Sequence, residues 1–297
     1  MAGAGAVRAV RDRIRSVENA SKVTRAMELV AASKMRRAQD RALAARPYAE
    51  RMRAVLGALS GYSQQADADD LHPLLVERDI DHFAFIHITA DRGLAGGLNS
   101  NMNRAGASLA LEHQPNVERV STLTVGRKGR DFFRRSGFPM LAEFIEIGDF
   151  PGIEAVLPIA RIVIDDYATG AVDRVYLGYQ QFVTTAVQRP TFRQLLPVVA
   201  PEGSEDEAAV DFIFEPEPAQ LLETLLPRYV EMQILEALLD AAASEQSARM
   251  VAMRQATDAA GEMITDLTLT YNKARQELVT SELLDIVGGK AALERDR

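Results

Sequence analysis

Apolar side chains in the first sixty residues recur at helical spacing. Val7, Val10, Ile14 and Val17 step by three, four and three, and the seam continues through Met27, Ala31, Met35, Ala38 and Ala42 to Ala45. Pro47 alone interrupts the run between Val7 and Leu56, so the pattern predicts one long helix ending near Leu56. A second such segment opens at EPEPAQLLETLL, where Pro218 suits a first helical turn because its missing N–H has no partner there. Farther along, Thr257, Ala260, Ile264, Leu267, Tyr271, Ala274 and Leu278 alternate steps of three and four, a heptad seam held for three repeats. The pair Gly288-Gly289 is the predicted stop.

Length decides how such helices are used. Roughly 65 to 70 residues at 1.5 Å each reach about 100 Å, whereas a compact globule of 297 residues has a radius of gyration of about 19 Å. The second helix is therefore expected to project beyond any globule. The two chain ends, each with an apolar seam to cover, are expected to pair as an antiparallel coiled coil.

Between them the period changes. HFAFIHITA and RVSTLTVG read as buried strands separated by the helical stretch NSNMNRAGASLALEH, the order of a parallel α/β sheet. EAVLPIARIVIDDYATG reads as a further helix, and DRVYLGYQQFV with PTFRQLLPV as an antiparallel pair. The acidic stretch APEGSEDEAAVD reads as a mobile loop or linker. These elements predict three parts: a coiled-coil helix over 1–60, an α/β domain over 61–218 and a second coiled-coil helix over 219–297.

Charge is distributed unevenly. The chain carries a net charge of −8, yet residues 1–60 hold 13 basic and 5 acidic side chains, a local +8 that leaves −16 for the remainder. The stretch VTRAMELVAASKMRRAQDRA sets Arg25, Lys34, Arg36, Arg37 and Arg41 around the seam of Met27, Ala31 and Met35. Phosphate contacts to nucleic acid offer one use for such a band. The lack of aromatic platforms in residues 1–47 and a Met and Ala seam suited to close helix packing favour an acidic protein surface instead. No cysteine is present, which excludes disulfides and thiolate chemistry. No apolar run reaches 18 residues, and arginines punctuate the N-terminus where a signal peptide needs its apolar region, so a soluble chain without direct membrane insertion is expected.

Candidate chemistry is sparse. ITADRGLAGGLNS runs from a strand through glycines into a helix, the context in which backbone N–H groups bind phosphate. Gly93, Gly96 and Gly97 do not make GxGxxG, and no GxxxxGK followed by Ser or Thr occurs, so a structural turn is the expected role. His72, His82, His87 and His113 lack metal-ligand spacing, and no GxSxG elbow anchors a triad. Neither catalytic residues, nor a cofactor site, nor a metal site is expected. A nucleotide at DRGLAGGLN and a coiled-coil scaffold binding nucleic acid through its basic helix are the competing readings.

Three blocks then resemble one family, the gamma subunit of F-type ATP synthases, in the family's own order: RIRSVENASKVTRAMELVAASKMRRAQ, DRGLAGGLN, and SEQSARMVAMRQATDAAGEMITDLTLTYNKARQELVTSELLDIVGG. The resemblance implies a Rossmann-like α/β domain beside the membrane and a coiled coil entering the ring of alternating alpha and beta subunits. It implies a non-catalytic rotor shaft that couples rotation of an ion-driven c-ring to ATP synthesis, at the cytoplasmic face of the plasma membrane, with alpha, beta and epsilon subunits and the c-ring as partners. By the family pattern, Met27, Arg36 and Arg37 face an acidic lever of a beta subunit. Arg275, Gln276 and Thr280 match positions touching a beta-subunit loop higher up. Phe212, Phe214 and Glu215 match a foot facing the c-ring.

Overall fold

The computed structural model describes residues 2–63, 72–199 and 217–295. Its elements run α1 (Ala2–Ser63), β1 (His82–Ile88), α2 (Leu98–His113), β2 (Arg119–Val125), α3 (Arg127–Arg135), β3 (Met140–Phe144), α4 (Ile153–Ala168), β4 (Arg174–Phe182), β5 (Gln188–Leu196) and α5 (Pro218–Arg295). This is the expected α/β class: two long terminal helices around a central, mostly parallel sheet. The chain divides into two compact units, residues 31–249 and the paired segments 1–30 with 250–297.

In the larger unit the sheet order is β3-β2-β1-β4-β5. The first four strands are parallel and β5 closes the edge antiparallel to β4. Alternation in the central strand feeds two cores, which is why its sequence is almost continuously apolar. Ala84, Ile86 and Ile88 face α4 (Val156, Ile159, Val163) and the helix segments bearing Met52, Leu56, Leu59, Leu226 and Val230. Phe83 and Phe85 face the opposite way, toward Ala110 of α2 and Phe133 of α3. The sheet is thus covered on both sides, with parts of α1 and α5 forming half of one cover.

Sequence and structure differ at helix ends. The second helix does not stop at Gly288-Gly289; α5 continues to Arg295. Glycine weakens a helix by only about 1 kcal/mol, and Lys290, Ala291, Ala292, Leu293 and Glu294 after it are all strong helix formers. Likewise α1 runs to Ser63 rather than Leu56. The start of α5 at Pro218 agrees with the sequence. Helix α3 and strand β3, both short, were not apparent in the periodicity.

The smaller unit is a two-helix coil. Along α1 the half-buried positions are Val7, Val10, Ile14, Val17, Ser21, Thr24 and Met27; along α5, from Thr257 onward, they are Thr257, Ala260, Ile264, Leu267, Tyr271, Ala274 and Leu278. Thr24 meets Thr257, while Glu28, one turn later in α1, meets Arg254, one turn earlier in α5. The helices therefore run antiparallel, in the register that closes the predicted seams on each other.

Candidate functional surfaces

The strand order reverses between β1 and β4, the place where open α/β sheets usually receive a ligand, and the N-terminus of α3, after β2, is the neighbouring set of backbone donors. Here the donors are already used. At the start of α3, the Arg127 N–H donates to Asp91 Oδ1 (2.9 Å), Lys128 N–H to the Ala90 carbonyl (3.1 Å) and Gly129 N–H to Thr89 Oγ1 (2.8 Å). The strand end of β1 therefore occupies the helix terminus that would otherwise attract phosphate. Gly126, with φ 96°, lets this happen, since a Cβ there would stand 2.0 Å from the Thr89 carbonyl oxygen. Above it, Leu238, Ala241 and Glu245 of α5 narrow the crevice to a cavity of about 50 Å³. Ligand pockets run to hundreds of Å³, so this one has room for a few waters.

The glycine-rich motif is a turn held from outside. Gly96 has φ 56° and Leu94 φ 63°. Asn99 Oδ1 accepts the Ala90 N–H (3.0 Å), and Arg249 of α5 donates to the Gly93 carbonyl (3.2 Å). Arg249 also pairs with Glu245 at 2.6 Å. Burial raises the Glu245 carboxyl above its usual value, against the pull of Arg249. Among the described residues, no three of His, Cys, Asp or Glu group as a metal site.

The basic band of α1 is divided. Lys34 Nζ lies 2.7 Å from Asp149 Oδ2. The guanidinium groups of Arg37 and Arg41 sit 5.4 and 4.7 Å from the centroid of Phe150, and Arg41 also donates to the Phe150 carbonyl (3.3 Å). Three cations that the sequence offered to an external partner are thus engaged by the loop after β3. Arg36 is exposed and makes no ion pair among the described residues.

In the coil, Met27 is half-buried in the seam. Beside it Glu28, 8% exposed, is flanked by Arg25 at 3.0 Å and Arg254 at 3.7 Å. Arg275, Gln276 and Thr280 are exposed, off the seam, and the Thr280 hydroxyl donates to the Gln276 carbonyl (2.9 Å). A Thr hydroxyl bonded back to the i−4 carbonyl is tied to its own helix. Phe212, Phe214 and Glu215 lie outside the described residues. Sequence reasoning missed Asp149, Phe150 and Glu28; only Glu28, an acid within a basic and apolar helix, carried a signal.

A chain with an α/β sheet in one unit and, in the other, an antiparallel coil built from both chain ends has the fold of central-stalk chains of rotary ATP synthases. A chain from the central stalk and c-ring of the Tetrahymena thermophila mitochondrial ATP synthase aligns with TM-score 0.60 at 27% identity, over 79% of this chain and 99% of that one. A chain from the OSCP/F1/c-ring assembly of the Euglena gracilis mitochondrial ATP synthase, in rotational state 3, aligns with TM-score 0.68 at 20% identity, over 98% and 95%. The family model described as ATP synthase matches residues 6–293. The ATP synthase gamma chain of Dehalococcoides mccartyi (strain ATCC BAA-2266) is 53% identical over 97% of this chain and 99% of its own, and that of Roseiflexus castenholzii is 47% identical over 96% and 98%. The chain belongs to the ATP synthase gamma-chain family.

Proposed function

We propose that this chain is the non-catalytic central shaft of a rotary ATP synthase, passing rotation of an ion-driven c-ring to a ring of alpha and beta subunits. The observation that carries the reading is the coil itself: first and last segments of one chain wound antiparallel on a heptad seam, in a member of the gamma-chain family. Torque requires a stiff, asymmetric body and no reactive group. The crevice filled by Asp91, Thr89 and α5 is consistent with a sheet domain used as a body rather than as a nucleotide site. No observation favours the nucleic-acid reading.

Alpha, beta and epsilon subunits and the c-ring are the proposed partners, and the cytoplasmic face of the plasma membrane the proposed location. None of the described helices is long and apolar enough to cross a membrane, so attachment would be through partner subunits. Met27, Arg36 and Arg37 are proposed to meet an acidic beta-subunit lever, and Arg275, Gln276 and Thr280 a second beta-subunit loop. Phe212, Phe214 and Glu215 are proposed as the foot on the c-ring. Exposed ion pairs contribute only about 0 to 1 kcal/mol each, so steric pushing by the coil dominates over any single charge.

The test is reconstitution. Purified alpha, beta and epsilon subunits with and without this chain should give, only with it, a stable complex whose ATP hydrolysis exceeds that of the separate subunits. Absence of any complex would refute the assignment.

A further inference from the structure

We propose that residues 145–151 are a strap fixing the sheet to both long helices, with Asp149 and Phe150 as positioning residues for torque transfer. The strap itself stands on geometry alone; its part in torque rests on the rotor reading above.

The loop is held at both ends. At its stem, Asp91 accepts the N–H groups of Arg127 and Glu146 on separate oxygens (2.9 Å each), and Arg127 pairs with the Glu146 carboxylate at 2.6 Å. Glu146 at φ 59° and Gly148 at φ 90° turn the chain back on itself. At the tip, Asp149 reaches two helices at once: Oδ2 receives Lys34 of α1 at 2.7 Å, and Oδ1 receives Gln246 of α5 at 3.1 Å. Gln246 is 2% exposed, so this contact is set by packing. Phe150 follows with its ring under Arg37 and Arg41 and its carbonyl on Arg41.

These contacts are poor candidates for global stability. The side chains of Lys34 and Asp149 are 29% and 40% exposed, and such pairs are weak. Their geometry does something else: it ties one loop to two helices and to the carboxyl edge of the sheet. A twist entering through the sheet then reaches α1 and α5 together rather than through the apolar core alone.

Asp149→Ala and Phe150→Ala in the full chain test this. Hydrogen exchange should quicken about tenfold in a peptide covering 145–151, with the thermal midpoint moving by under about 3 °C; exchange unchanged from wild type overturns the strap. In the whole ATP synthase, c-ring included, reconstituted in sealed vesicles, ion transport per ATP hydrolysed should fall at least twofold while assembly and hydrolysis persist, and the swapped pair Lys34→Asp with Asp149→Lys should recover part of the loss. An unchanged ratio in an assembled complex overturns the torque role. If wild type itself fails to assemble, the rotor reading falls and the torque role with it, whereas exchange still decides the strap.

Discussion

The hydroxyls of Thr24 and Thr257 lie 2.7 Å apart across the coil, although 233 positions separate them in sequence. Each hydroxyl also lies within donating distance of a carbonyl of its own helix, Thr24 of Ser21 (3.0 Å) and Thr257 of Met253 (2.9 Å), so either can be the donor across the coil. One polar pair inside an apolar seam marks the register, since a slip of either helix would leave both hydroxyls facing carbon.

Removing one partner should cost more than removing both. Thr257→Val removes the cross-coil hydrogen bond, leaves the Thr24 hydroxyl only the Ser21 carbonyl and sets its oxygen against a methyl group, and should destabilise the full chain by about 1 kcal/mol. The double variant Thr24→Val with Thr257→Val should recover most of it, because two apolar side chains then face each other and no hydroxyl is packed against carbon. Equilibrium unfolding followed by circular dichroism in urea would measure the set.

His87 predicts an acid-sensitive core. The ring is fully buried, its Nε2 donates to Asn103 Oδ1 (2.9 Å), and Nδ1 has no hydrogen-bond partner among the described residues. Burial lowers its pKa to about 4 from 6.5, against the opposing hydrogen bond to Asn103. The unfolded chain therefore takes a proton below about pH 6.5 that the native chain refuses until about pH 4. Stability should fall through that window and level off beneath it, by about 3 kcal/mol at 1.36 kcal/mol per unit. His87→Phe should remove this component of the pH profile, whatever its own stability at pH 8.

The glycines near the crevice separate by surroundings. A Cβ at Gly93 would meet nothing within 4 Å, whereas at Gly126 it would strike the Thr89 carbonyl from a backbone at positive φ. Gly93→Ala should leave the thermal midpoint within about 2 °C. Gly126→Ala should cost at least about 3 kcal/mol, through overpacking and backbone strain together. Were the motif a phosphate cradle, Gly93 would be the sensitive position.

Arg36 and Arg37 should respond differently to charge reversal. Arg36→Glu alters a cation without an ion pair among the described residues, so its effect would report on the proposed beta-subunit contact: ATP synthesis reduced severalfold, with assembly intact. Arg37→Glu removes the same charge and also the guanidinium over Phe150, so it should additionally quicken exchange in residues 145–151. Normal synthesis rates in the combined Arg36→Glu, Arg37→Glu variant would exclude a coupling role for either.

Much of the fold was legible because its signals are long. The heptad from Thr257 to Leu278 and the seam from Val7 to Ala45 each span several turns, and buried strands such as HFAFIHI announce themselves by composition. Helix α3, nine residues with five cations, and the five-residue edge strand β3 are too short for a period to emerge. The strap was hidden for a different reason. Its contacts join Asp149 to Lys34 across 115 positions and to Gln246 across 97, and an isolated pairing of that kind leaves no trace in local pattern. The division at Val30 and Met250 was equally invisible, since the helical period runs through both points unchanged.

Building the smaller unit from opposite chain ends sets an order of events during synthesis. The first thirty residues leave the ribosome long before Met250 is polymerised, a lag on the order of 20 s at about 10 residues per second. Throughout that interval the apolar stripe from Val7 to Met27 has no intramolecular cover. The nascent segment is consequently a natural client for a chaperone, and the coil can close only after the seam from Thr257 to Leu278 has emerged.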